Sequence, residues 1–157
     1  MTSDWTLSPQ HEFTLDLTRG ETHYAGEPTA SGQRAIGEVV AGTVSGTRIN
    51  GSIFGPSADW VLIVPDGFGR IDVRTQIRTD DDAVIYVRYE GYMETNEAAL
   101  AAILDPAGPG TDFDQAYLGI AVKLETGDPR YSWVNTTQFV GRGRLTKPGV
   151  VYEVYSI

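Results

Sequence analysis

A carboxylate and a guanidinium, Asp72 and Arg74, stand two residues apart in the run RIDVRTQIR. Side chains at i and i+2 of a strand share a face, so Asp72, Arg74, Gln76 and Arg78 form one row and Ile71, Val73 and Ile77 the opposite one. Turned toward a water-poor interior, the pair has a recognisable chemistry. Asp72 carries a proton, and Arg74 stabilises developing negative charge or holds an anionic group. Turned toward solvent, it is a surface ion pair worth about 0 to 1 kcal/mol. Both placements are open at this level.

A second row appears if YSWVNTTQF is read as a strand: Tyr131, Trp133, Asn135, Thr137 and Phe139 then share one face. Large rings beside an amide and a hydroxyl are the mixture that lines small-molecule pockets, and Tyr131 or Asn135 is the expected donor to a carbonyl oxygen. The same mixture also makes a core whose polar groups bond the backbone. Trp60, Tyr89, Trp133 and Phe139 are the expected ligand lining. The sharpest expectation brings Asp72 and Arg74 to a barrel mouth with Tyr131, Trp133 and Asn135.

Other chemistries find less support. No G-x-S-x-G elbow occurs, and His11 and His23 lie close to the N-terminus, which disfavours a Ser-His hydrolase. Cysteine is absent, so sulfur and nitrogen ligand sets for zinc cannot be assembled, and neither Asp80–Asp82 nor Asp112/Asp114 continues into a calcium-loop pattern. GFGR at 67–70 and GRGR at 141–144 do not lead from a strand into a helix, as phosphate-binding glycine loops do. No metal and no cofactor is expected. A net charge of −9 repels nucleic acid and anionic membranes. MTSDWTLSPQHEF has neither a basic start nor a long apolar run, and no later stretch approaches a membrane span, so a cytoplasmic protein is expected. A homodimer is open.

The elements that must position these residues are nearly all strands. EFTLDLT alternates Phe13, Leu15 and Leu17 with polar neighbours. The glycine-studded segment from Glu27 to Gly55 keeps Ile36, Val39, Val40, Val44 and Ile49, and reads as coiled strands rather than a linker. DWVLIV, FGRIDVRTQIR and AVIYVRYEGY form three consecutive antiparallel strands, joined by a Pro-Asp-Gly turn and an acidic turn. TNEAALAAIL is a short capped helix stopped by Asp105 and Pro106. QAYLGIAVKLET, YSWVNTTQFVGRGRL and VVYEVYSI supply the last strands. With 157 residues and no crossover helices, the expectation is one all-β domain over 1–157, a single antiparallel barrel with one short helix and a loosely ordered arm over residues 1–11.

GPSADW, the DVR of Asp72–Arg74, RTDDDAVIYV, ETGDPRYSWVNTTQFVGRG and the terminal VYEVYSI together resemble the bacterial and fungal family known as domain of unknown function 3237. The resemblance runs from Phe13 to Ile157. It implies a calycin-like β-barrel and gene neighbourhoods for catabolism or specialised metabolites, without implying a settled activity. TNEAALAAIL and DPAGPG depart from the pattern. Two functions are carried forward: a cofactor-free isomerase, lyase, cyclase or aldolase acting on a small carbonyl-bearing or aromatic metabolite, and a non-catalytic carrier or sensor of an apolar ligand.

Overall fold

The computed structural model describes residues 5–105 and 107–157. Nine strands follow in the order β1 (Gln10–Tyr24), β2 (Gln33–Gly46), β3 (Gly51–Ile53), β4 (Ala58–Val64), β5 (Phe68–Thr79), β6 (Val84–Glu94), β7 (Leu118–Glu125), β8 (Phe139–Leu145) and β9 (Gly149–Ser156). Every pairing is antiparallel. Neighbours run β1, β9, β8, β7, β6, β5, and β2 closes the circle against β1. Between β2 and β5 one place is shared by two strands, β3 at one end and β4 at the other. The result is the expected all-β barrel: a closed eight-strand antiparallel barrel with one extra strand.

Alternation sets the inside. On β5, Ile71, Val73, Thr75, Ile77 and Thr79 are buried, while Arg74 and Arg78 are exposed and Asp72 and Gln76 half-buried. On β6, Ile85, Val87 and Tyr89 face the same interior. Phe13, Leu15 and Leu17 on β1, Val122 on β7, Phe139 on β8 and Val154 on β9 complete a solid core, each at most 1% exposed. The turn between β4 and β5 needs a positive φ at its third residue, which Gly67 supplies at 89°, and the Asp66 carboxylate accepts the Phe68 N–H at 3.0 Å.

The helix α1 (Glu97–Leu104) starts where Asn96 accepts the Ala99 N–H at 3.0 Å, with Glu97 in its first turn. Its Ala99 and Ala102 pack on Ala116 and Leu145, at the end of the barrel where β6 finishes and β7 begins. Asp105 caps it; Pro106, the expected stop, lies outside the described residues.

The first half of one expected strand, YSWVNTTQFVGRGRL, is not there. Residues 129–136 form a 3-10 helix, with Asp128 accepting the Arg130 N–H and Pro129 in the first turn, and β8 begins at Phe139. An Asp cap followed by proline commits the chain to a helical start, which overrides the alternation in YSWVNTTQF. The barrel therefore carries two short helical segments rather than one. The N-terminal arm is also shorter than expected, because Gln10 and His11 already pair with Ser156 and Tyr155. Residues 1–4 of that arm lie outside the described residues. No helix among the described residues is long and apolar enough to cross a membrane.

Candidate active site

Asp59 is the carboxylate that the barrel takes inside. It stands on β4 directly opposite Gly37 of β2 and Val73 of β5, and Val73 is 2% exposed in the core. Residues directly opposite in an antiparallel ladder share a face, so Asp59, Val73, Tyr89 and Val122 form one inner row across β4, β5, β6 and β7. Tyr152 enters from β9, its ring centroid 5.3 Å from that of Tyr89 in an edge-to-face pair. Both tyrosines are almost fully buried. Gly143, opposite Tyr152 on β8, makes room for this ring, because a Cβ there would lie 2.7 Å from two ring carbons.

Burial pushes the Asp59 carboxyl up to about 6, reinforced by the negative charge of Asp72 and opposed by a hydrogen bond from the Asp72 N–H at 3.1 Å. Burial also raises both phenols, Tyr89 and Tyr152, which stay protonated at neutral pH, and the Asp59 charge raises both further. A carboxyl that titrates near neutrality beside two protonated phenols is an acid–base group next to hydrogen-bond donors. Asp59 itself is partly exposed, as are Val39, Val61, Ile63, Met93 and Val150 around it and above it, so this end of the barrel opens toward solvent.

The residues expected to form the site are spread over three places. Tyr89 is in the interior cluster. Asp72 and Arg74 lie on the outer face of β5, not in the mouth, 3.7 Å apart, with the Arg74 guanidinium 5.6 Å from the Trp60 ring on the outer face of β4. Filling the barrel with Ile71, Val73 and Ile77 forces their alternates out. Tyr131, Trp133 and Asn135 are on the 3-10 helix, at the closed end of the barrel. There the Tyr131 hydroxyl donates to Asp81 at 2.7 Å, the Arg48 guanidinium stacks 3.4 Å from the Trp133 ring, and Asn135 exchanges two 2.9 Å hydrogen bonds with the Thr126 backbone. Phe139 is fully buried, 6.0 Å from Trp133. This end is a plug: Arg130 pairs with Asp128 and Asp81, and hydrogen bonds from Thr79 and Tyr131 hold the Asp81 carboxylate below its ordinary range.

Two open grooves lie on the outer wall. The larger, about 1050 Å³, runs between β7 and the 3-10 helix past Tyr86, Arg88, Lys123 and Asn135; the smaller, about 390 Å³, lies between Tyr92, Tyr117 and Arg142. Among the described residues no cluster of three His, Asp or Glu side chains could hold a metal ion.

The sequence profile described as "Protein of unknown function (DUF3237)" matches residues 6–157. The chain belongs to this family. An uncharacterised "UPF0311 protein" of Rhodopseudomonas palustris is 28% identical over 152 residues, 97% of each chain. A solved "beta-barrel like protein" of Acinetobacter baumannii is 31% identical and superposes with a TM-score of 0.75, covering 96% of this chain and 94% of its own. A solved structure described as an enzyme from Penicillium herquei shares the fold at a TM-score of 0.72 and 20% identity, covering 99% and 98%.

Asp59 was missed as a site residue, although it stands inside GPSADW, one of the segments that carry the family resemblance. The available signal was a carboxylate at the start of ADWVLIV, a run otherwise apolar on both faces. The DVR and RYSWVN segments, in contrast, build the outer wall and the plug.

Proposed function

We propose that the protein is a cofactor-independent enzyme that moves a proton on a small carbonyl-bearing metabolite, with Asp59 as the proton carrier and the Tyr89–Tyr152 pair as donors to the carbonyl oxygen. The observation that carries this reading is the Asp59 carboxyl on the inner face of the barrel beside two buried phenols, at the end that opens to solvent. In the ionised state Asp59 takes the proton on the carbon next to the carbonyl. The electron pair moves onto the carbonyl oxygen, where a phenol O–H stabilises the enolate. Protonated Asp59 then returns its proton to the same carbon or to another position of the conjugated system, which is an isomerisation or the first half of a lyase or cyclase reaction. A carboxyl near 6 is largely ionised at neutral pH yet basic enough to accept a proton. The role first assigned to Asp72 thus passes to Asp59, and that of Tyr131 and Asn135 to Tyr89 and Tyr152. The fold relative from Penicillium herquei is described as an enzyme, which is consistent with catalysis on this barrel.

The carrier reading loses weight because the interior is neither wide nor wholly apolar: the core rows fill one end and a carboxyl interrupts the other.

The test is proton exchange in D2O, followed by NMR, on 3-benzoylpropionate, its methyl ester and 2-tetralone. Protein-dependent deuterium incorporation next to the carbonyl is expected for at least one of them, falling about a hundredfold or more in Asp59→Asn and by about tenfold or more in Tyr152→Phe. Exchange no faster than in buffer across the set, or undiminished in Asp59→Asn, rejects the reading.

A further inference from the structure

The open end of the barrel carries one arginine whose position matters for the substrate. Arg19 pairs with Val39 across β1 and β2, just where β1 bulges, and its N–H donates to the Pro148 carbonyl at 2.8 Å. Its neighbour Gly20 fixes its orientation. A Cβ on Gly20 would lie 2.4 Å from Val40 Cγ1 and 3.2 Å from Glu38 Cβ, and both side chains belong to the outer side of β2, Val40 being 60% exposed. Gly20 is therefore outward, and Arg19, like Leu17 two residues before it, falls on the inner face. There it stands opposite Val39 in the β1–β2 ladder, and Val39 packs on the core.

The Arg19 side chain is half-buried. Other arginines of the chain are engaged. Arg48, Arg70, Arg74, Arg78, Arg88 and Arg130 hold carboxylates. Arg34 and Arg142 donate to backbone carbonyls, and Arg144 lies over Phe113. Among the described residues the Arg19 guanidinium has no carboxylate, carbonyl or ring assigned to it, in a chain with 21 acidic residues against 12 basic ones. A half-buried guanidinium keeps five donors to satisfy, and their planar fork fits a carboxylate.

Its distance from the acid–base cluster suits one small molecule. Asp59 is opposite Gly37, Gly37 lies two residues along β2 from Val39, and Val39 is opposite Arg19. Two inter-strand spacings and a two-residue step put the Arg19 and Asp59 Cα atoms about 12 Å apart, before either side chain reaches inward.

We propose that Arg19 anchors a carboxylate of the substrate at the rim of the barrel, so that the metabolite is a keto acid: its anionic end is on Arg19 and its carbonyl sits at Asp59 and the tyrosine pair. This inference rests on the acid–base reading of the interior cluster, and its test separates the two. Binding of 3-benzoylpropionate and of its methyl ester is measured by titration calorimetry, with folding of each variant checked by circular dichroism. The acid is expected to bind wild type about tenfold or more tightly than the ester. Arg19→Met, which keeps the apolar stem, should abolish that preference, and Arg19→Lys should restore part of it. Asp59→Asn should keep the preference while losing exchange. Equal affinity for acid and ester in wild type, no binding of the acid at millimolar concentration, or a preference that survives Arg19→Met overturns the anchor. Absence of the preference in wild type, with exchange on 2-tetralone intact, would overturn the anchor and leave the acid–base reading standing.

Discussion

The backbone N–H of Asp72 donates to the Asp59 carboxylate at 3.1 Å, so a residue whose side chain is on the outer wall of the barrel fixes a carboxyl on the inner one. The β4–β5 ladder pairs Asp59 with Val73 and resumes at Leu62 with Arg70, and the Asp59 side chain takes the Asp72 donor in the interval. This ties the orientation of the acid to the strand itself rather than to a mobile side-chain partner. It also places the Asp72 charge close enough to raise the Asp59 pKa.

Asp72→Asn should therefore leave the Asp59 hydrogen bond in place and remove a like charge. The expected outcome is a lower Asp59 pKa, visible as an acid-ward shift of the exchange–pH profile, with a stability change below about 1 kcal/mol because the partly exposed Asp72–Arg74 pair is weak. An unchanged profile would show that the outer carboxylate is electrically silent.

The pH dependence of stability should carry the Asp59 signature. Its folded pKa is raised, so the native state holds a proton that the unfolded chain has already released. The contribution of this group is fully present below about pH 4 and is lost as pH rises through about 6. Burying the ionised form then costs about 3 kcal/mol at neutral pH by linkage. Asp59→Asn keeps an acceptor for the Asp72 N–H and avoids this cost. Urea denaturation at a series of pH values should find the variant more stable than wild type at pH 7, with the difference shrinking toward pH 4. A difference independent of pH would contradict it.

Gly143→Ala should separate the tyrosine pair. The added methyl would meet two Tyr152 ring carbons and Leu118 Cδ2, all at 2.7 Å, inside a packed interior. A loss of about 1 to 3 kcal/mol is expected, with a fall in exchange activity larger than an outer-wall substitution produces. Thermal unfolding and the exchange assay measure the two effects.

The plug should matter for stability and not for chemistry. Tyr131→Phe deletes the donor to Asp81, whose other partners include Thr79 at 2.6 Å and Arg130. A cost of about 1 to 2 kcal/mol is expected, with exchange at Asp59 unaltered. A loss of exchange without loss of stability would return Tyr131 to the site.

The sequence by itself determined the antiparallel strands and favoured the barrel over an open sheet. Period-two alternation in RIDVRTQIR and AVIYVRYEGY separates a row of isoleucine, valine and tyrosine from a row of charge. A chain made of such hairpins without crossover helices forms an antiparallel sheet, whose exposed edges a barrel removes. The capped helix after Glu94 was equally legible from Asn96 and Glu97. The inward carboxylate was not. In ADWVLIV both alternate rows are apolar, Asp59 with Val61 and Ile63 on one and Ala58, Trp60 and Leu62 on the other, so periodicity carries no information about which row turns in. Register decided it: pairing with Gly37 and Val73 put Asp59 inside and Trp60 out beside Arg74. YSWVNTTQF misled for the opposite reason, since its alternation is real but Asp128 and Pro129 start a helix that local capping stabilises. The tyrosine pair joins residues 63 positions apart, Tyr89 and Tyr152, and their meeting depends on closure of the barrel, which no local pattern encodes.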